Sequence, residues 1–170
     1  MGPLRLTLLR HGQAQPIESC AVDYERALTR RGANEAQEMG GRLVRRGLVP
    51  DLILASPAER TWTTASIVAG ACDIDPKSLR GARELYLASP ESIWQLLCRR
   101  NWAAHHVLIC GHNPGLSQVA SRFGPSPRAR DLPTAGLVTA QWRHAAWVTL
   151  QPEAADACDL DDPESMDHWP

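Results

Sequence analysis

Leu4-Arg5-Leu6-Thr7-Leu8-Leu9-Arg10-His11-Gly12 is the stretch on which the fold turns. Residues 4–9 form a short apolar run that stops abruptly at an arginine, a histidine and a glycine. A run of this length bounded by glycine predicts a strand buried in a sheet, with a loop at its carboxyl end. Two more runs of the same kind follow. Residues 51–55 (DLILA) stop at Ser56-Pro57, and residues 106–110 (HVLIC) stop at Gly111-His112-Asn113-Pro114-Gly115.

Helical patterns separate these strands. Residues 29–46 open on Thr29 as a cap and carry Ala33, Ala36, Met39 and Leu43 at spacings of three and four, with Gly47 as the terminator. A second helix is expected from about Ala58 to Gly70, with Pro57 near its first turn. Pro90 opens a third, with Ile93, Leu96 and Leu97 on one face, and a fourth lies near 115–122. Residues 79–85 read as a short edge strand. Segments 136–142 and 145–151 read as a closing hairpin, after a Pro/Arg-rich loop at 124–133. Strands that are apolar throughout and alternate with helices indicate a single α/β domain, a mostly parallel central sheet with helices on both faces. That domain is expected to span 1–151. From Pro152 onward the chain carries seven acidic side chains and little apolar pattern, and 152–170 is expected to be a mobile acidic surface tail.

The bulk properties exclude several classes. A chain of 170 residues with net charge −1 has no electrostatic footprint for nucleic acid or an anionic membrane surface. No run approaches the ~20 apolar residues of a spanning helix. The five cysteines are odd in number, scattered and without a CxxC pair, against a disulfide framework or a zinc site and in favour of a cytoplasmic location. His105-His106 lacks the i, i+4 spacing of a metal pair on a helix, and reads as a strand edge. Trp62 and Trp94 fall inside helices, where packing is the default. No GxGxxG or GxxxxGK[ST] segment is present, so the glycines near 111–115 do not make a nucleotide site.

In open α/β sheets, ligands bind beyond the carboxyl ends of the strands. Arg10-His11, the segment Ser56 to Arg60, and His112 all fall there. Either histidine alone would be read as structural. Two histidines and two arginines at one sheet edge, with no acid nearby to balance them, form a cationic cluster that needs an anion. A phosphoryl group suits it, because guanidinium forks match phosphate oxygens in pairs. The small basic loop at 126–131 (SPRARD) could meet an acidic partner beside such a site.

Leu9-Arg10-His11-Gly12 resembles the RHG signature of the histidine phosphatase superfamily, the phosphoglycerate mutase-like fold. Ser56-Pro57-Ala58-Glu59-Arg60-Thr61-Trp62-Thr63-Thr64-Ala65 resembles its S-P-x-x-R-x-x-x-T-A segment. Gly111-His112-Asn113-Pro114-Gly115-Leu116 is similar to the second-histidine motif of the short, SixA-like phosphohistidine phosphatases. Glu84-Leu85-Tyr86 and Leu132-Pro133-Thr134-Ala135-Gly136 resemble further segments of that branch. The resemblance runs from about residue 4 to residue 150.

The resemblance implies that His11 attacks phosphorus and becomes a covalent phosphohistidine, which water then hydrolyses. Arg10, Arg60 and His112 would hold the equatorial oxygens, with no metal and no cofactor. A nucleophilic imidazole must be neutral, which nearby arginines favour, and its other nitrogen should donate to a backbone carbonyl. Glu84 is a candidate general acid, since larger relatives place an acid near there; the alternative is a solvated surface group. Larger relatives also insert lid helices, for which the spacings here leave no room. An open site suits protein phosphohistidine as the substrate. A small phosphate ester is the alternative substrate. A phosphate-recognition module without turnover is a third possibility, though it has no use for a nucleophilic imidazole.

Overall fold

The computed structural model describes residues 2–124 and 131–165. Six strands form one sheet: β1 (Leu4–Arg10), β2 (Leu52–Ala55), β3 (Leu79–Gly81), β4 (His106–Gly111), β5 (Leu137–Trp142) and β6 (Ala157–Asp161), in the spatial order β3-β2-β4-β1-β5-β6. The β3, β2, β4 and β1 strands run parallel, while β5 and β6 are antiparallel additions. The sheet is mostly parallel, as the strand–helix alternation requires.

Four helices cover it: α1 (Arg30–Arg45), α2 (Glu59–Ala71), α3 (Pro90–Cys98) and α4 (Gly115–Ala120). Alternation along β1 sorts its side chains. Leu4, Leu6 and Leu8 pack with Ile93, Leu96, Leu97, Leu116 and Val119 of α3 and α4. Leu9 packs on the other side with Ala36, Met39 and Leu43 of α1 and Ala65 and Val68 of α2. Each fully buried leucine contributes ~1.5–3 kcal/mol, so β1 is pinned from both faces. The caps follow the sequence: the Thr29 side chain accepts from Gly32 N, and Ser89 accepts from Ser92 N ahead of Pro90. Gly47 adopts φ +63°, the left-handed terminator of α1.

Three expectations are corrected. The edge strand expected at 79–85 ends at Gly81, and a 3-10 turn over Arg83–Leu85 buries Leu85 in the core. Residues 145–151 are not a strand: Trp147–Thr149 form a 3-10 turn that buries Trp147 beneath the sheet. The partner of β5 is β6, which lies inside the segment expected to be a mobile tail, so the fold does not end at residue 151. Several acidic residues there are answered by arginines of α1 and of its C-cap, Arg46. Buried Asp161 receives Arg42 NH1 at 2.7 Å and Arg46 NH2 at 3.0 Å, Asp159 pairs with Arg46, and Glu164 pairs with Arg31. Residues 126–130 of the basic loop and residues 166–170 lie outside the described residues.

Candidate active site

Strands β1, β2 and β4 end side by side, with Arg10 in register with Gly111. His11 therefore leaves the sheet beside His112, and His11 N still donates to Gly111 O at 3.2 Å. The two imidazole rings lie 5.5 Å apart, edge to face. Gly12 lets the chain pass directly against α1: a Cβ there would overlap the carbonyl oxygen of Gly32. Gly12 N is tied to Thr64 Oγ1 of α2 at 3.0 Å, and that hydroxyl in turn donates to Arg60 O.

His11 Nδ1 lies 2.7 Å from Gly12 O, so Nδ1 carries the proton and Nε2 presents a lone pair. Arg60 Nε approaches that Nε2 at 3.4 Å. Burial is the main reason the His11 pKa falls to about 4; Arg60, Arg10 and Arg26 lower it further, against the pull of the Gly12 carbonyl. His112 falls to about 3, chiefly through burial, with Arg60 next. Both rings are neutral at pH 7. Burial, more than the arginines named from the sequence, makes them so. His112 Nε2 sits 2.9 Å from Ser56 Oγ and 3.3 Å from Thr61 Oγ1, while its Nδ1 faces Arg60 NH2 at 3.3 Å.

Arg10 lies at the end of β1 with NH1 on Leu132 O at 2.6 Å and its buried Nε without a protein partner. The 131–136 loop that supplies this carbonyl is held by Asn113, whose Nδ2 donates to Asp131 and to Leu132 O. Arg10, His11, Arg60 and His112 line one open cleft of about 570 Å³.

Glu84 does not join them. The turn that buries Leu85 directs Glu84 outward, where it pairs with Arg99 at 2.9 Å with half its side chain exposed. Its own backbone N–H, then Arg99, hold its pKa below the usual carboxylate range, the reverse of what a proton donor needs. The Glu84-Leu85-Tyr86 segment does reach the cleft, through Tyr86: its ring stacks edge-on to His112 at 5.5 Å.

Sequence reasoning also missed Asp23. The cationic cluster has an acid after all, supplied by the loop between β1 and α1. Asp23 Oδ2 accepts from Arg60 NH2 at 2.9 Å and from Tyr86 OH at 2.9 Å, and Asp23 Oδ1 accepts from Arg26 Nε and NH2. A polar loop residue 37 positions from Arg60 leaves no periodic trace, so no pattern in the sequence could have paired them. Among the described residues, no group of three or more His, Cys, Asp or Glu side chains is gathered as metal ligands.

Residues 6–101 match the sequence pattern of the histidine phosphatase superfamily (branch 1). The chain belongs to the histidine phosphatase superfamily. It is similar to an uncharacterized protein of a Picosynechococcus species, 30% identical over 142 residues, 79% of this chain and 83% of that one. Among solved structures, a candidate phosphohistidine phosphatase SixA from Agrobacterium tumefaciens superimposes with a TM-score of 0.73 at 26% identity, covering 86% of this chain and 98% of that one. Another, from Nakamurella multipartitia, gives 0.77 at 23% identity, over 97% and 99% of the two chains. A histidine phosphatase fold with His11 and His112 facing each other beyond the strand ends makes this a phosphatase of that superfamily, with no lid subdomain among the described residues.

Proposed function

We propose that the protein hydrolyses phosphohistidine on a partner protein, through a covalent phosphohistidine at His11. The observation that carries this reading is the state of the cleft's acid. Asp23 is the one carboxylate among the described residues that line the cleft, and four donor contacts fill its oxygens. The Tyr86 phenol proton is committed to the same group. A site with a nucleophile and cations but no free proton donor suits a leaving group that needs none. An imidazole protonated by solvent leaves as a neutral ring; an alkoxide does not.

In the first step His11 Nε2 attacks phosphorus as the P–N bond to the partner's imidazole breaks. Arg10, Arg60 and His112 hold the three oxygens over which charge spreads. The guanidinium groups of Arg10 and Arg60, both lining the cleft, supply the donors for this. Ser56 Oγ can donate or accept, so it accommodates either tautomer of His112, and the tautomer protonated at Nδ1 donates to a phosphoryl oxygen. In the second step water attacks, the P–Nε2 bond breaks, and orthophosphate leaves neutral His11. The five free cysteines fit a reducing compartment such as the cytoplasm.

The test is turnover on a phosphohistidine-bearing protein beside a panel of small alkyl phosphates. Higher kcat/KM on the protein supports the proposal. Preference for a small ester would make the enzyme a metabolite phosphomonoesterase of the same superfamily. Tight binding of both without turnover would make it a recognition module.

A further inference from the structure

We propose that Asp23 is the positioning residue of Arg60, gripping the outer edge of its guanidinium so that the inner edge stays turned to the two imidazoles; this rests on the phosphatase reading above. A guanidinium has two forks that can each engage an anion. In Arg60 the terminal fork is taken: NH1 donates to Asp23 O at 2.7 Å and NH2 to Asp23 Oδ2 at 2.9 Å. The lateral fork points inward, with Nε 3.4 Å from His11 Nε2 and NH2 3.3 Å from His112 Nδ1. A phosphoryl oxygen bound between the histidines would meet that lateral fork. Asp23 therefore holds the arginine from behind and leaves the productive edge open.

Asp23 is itself braced. Tyr86 OH fixes Oδ2 and Arg26 holds Oδ1 with two nitrogens. Arg60 is almost wholly buried, so a slack guanidinium could not reorient through water and its direction must be set by these partners. Burial alone would raise the Asp23 pKa; Tyr86, Arg60 and Arg26 outweigh it and bring it below the ordinary carboxylate value. With four donors on its two oxygens, Asp23 has no lone pair left for a substrate proton or a water. It acts through Arg60.

The full-length chain is tested as Asp23→Ala and Asp23→Asn, each alone and with Arg60→Ala. The readouts are kcat/KM for p-nitrophenyl phosphate and for an alkyl phosphate, and orthophosphate affinity by calorimetry. Misplacing one catalytic contact is expected to lower kcat/KM ~10- to 100-fold in Asp23→Ala, equally for both substrates, and to weaken orthophosphate binding. In the Arg60→Ala background the same change should alter kcat/KM by about two-fold or less. An equal loss in both backgrounds would overturn the proposal, as would a loss confined to the alkyl phosphate, which marks a proton donor. If Asp23→Ala folds poorly, Asp23→Asn carries the same comparison, since it keeps the backbone contact and the side-chain shape. Orthophosphate affinity separates this proposal from the function above. A wild-type chain that turned over no phosphate would end the phosphatase reading, while weaker orthophosphate binding in the Asp23 variants would still support the clamp and unchanged binding would refute it.

Discussion

His11 is exposed by only 8% of its surface, yet its Nε2 faces the cleft with no hydrogen bond shorter than 3.4 Å. Replacing it with alanine removes the contacts to Gly12 O, Arg60 Nε and the His112 ring but none within the strand beneath. His11→Ala should therefore reduce turnover by at least ~10³-fold with a near-native melting temperature, measured by steady-state rates and circular dichroism. Since His11 is neutral above a pKa of about 4, kcat/KM should hold from neutral pH down to about pH 5 and fall as the ring protonates below that. Glu84→Gln should change kcat/KM less than about two-fold on alkyl phosphate, aryl phosphate and phosphohistidine protein alike, because its partner is Arg99 outside the cleft. Under the proposed mechanism Arg10, Arg60 and His112 meet the charge at the phosphoryl oxygens, so turnover should survive EDTA; its loss on chelation and recovery with a divalent ion would contradict that proposal.

Among the elements, β6 departs most from its sequence. Its exposure pattern is mostly solvent-facing, and its composition is that of a tail. Besides its ladder with β5, it is held by charge complementarity with Arg42 of α1 and the C-cap Arg46, which meet Asp161 from more than a hundred residues away. Asp161→Ala leaves a guanidinium buried beside an apolar methyl and should destabilise the fold by ~3 kcal/mol, read from urea unfolding. Deleting residues 157–170 should lower the melting temperature for the same reason, whereas removal of a solvated tail would leave it unchanged. Elements with their own periodicity were legible: of Ala33, Ala36, Met39 and Leu43, the last three form the buried face of α1 and Ala33 is half-buried at its edge, and three apolar runs named β1, β2 and β4. The 145–151 segment misled because it is short and largely apolar like a strand, while the i, i+3 spacing of its two buried residues, Trp147 and Leu150, is that of a 3-10 turn.

At the scale of the molecule, three buried histidines tie stability to pH. His11 and His106 have pKa values lowered to about 4 and His112 to about 3, burial being the largest cause in each. Above about pH 6.5 the rings are neutral in both folded and unfolded chains and contribute no pH dependence. Below it the unfolded chain takes up protons that the folded one refuses, so stability should fall between about pH 6.5 and 4, as a scan of melting temperature against pH would register. The same burial explains how far the site could be read in advance. Arg10, His11, Arg60 and His112 each follow a strand end or sit in a helix with a sequence signature. Asp23 and Tyr86 come from irregular segments whose place over the cleft is fixed by tertiary contacts alone.

The loop that delivers Asp23 has a neck. Gly12 and Gly32 touch backbone to backbone, Ala14 bridges Leu28, Gln15 N reaches Ala27 O, and Thr29 is bonded to Gln13. Everything between residues 15 and 27 thus hangs from a closure made where β1 ends and α1 is capped. Because loop-closure entropy grows only slowly with length, such a necked insert behaves as an exchangeable cassette. A lineage, or an engineer, can lengthen, shorten or swap residues 16–22 to recognise a different partner, provided that Asp23 stays on Arg60 and Arg26 on Asp23.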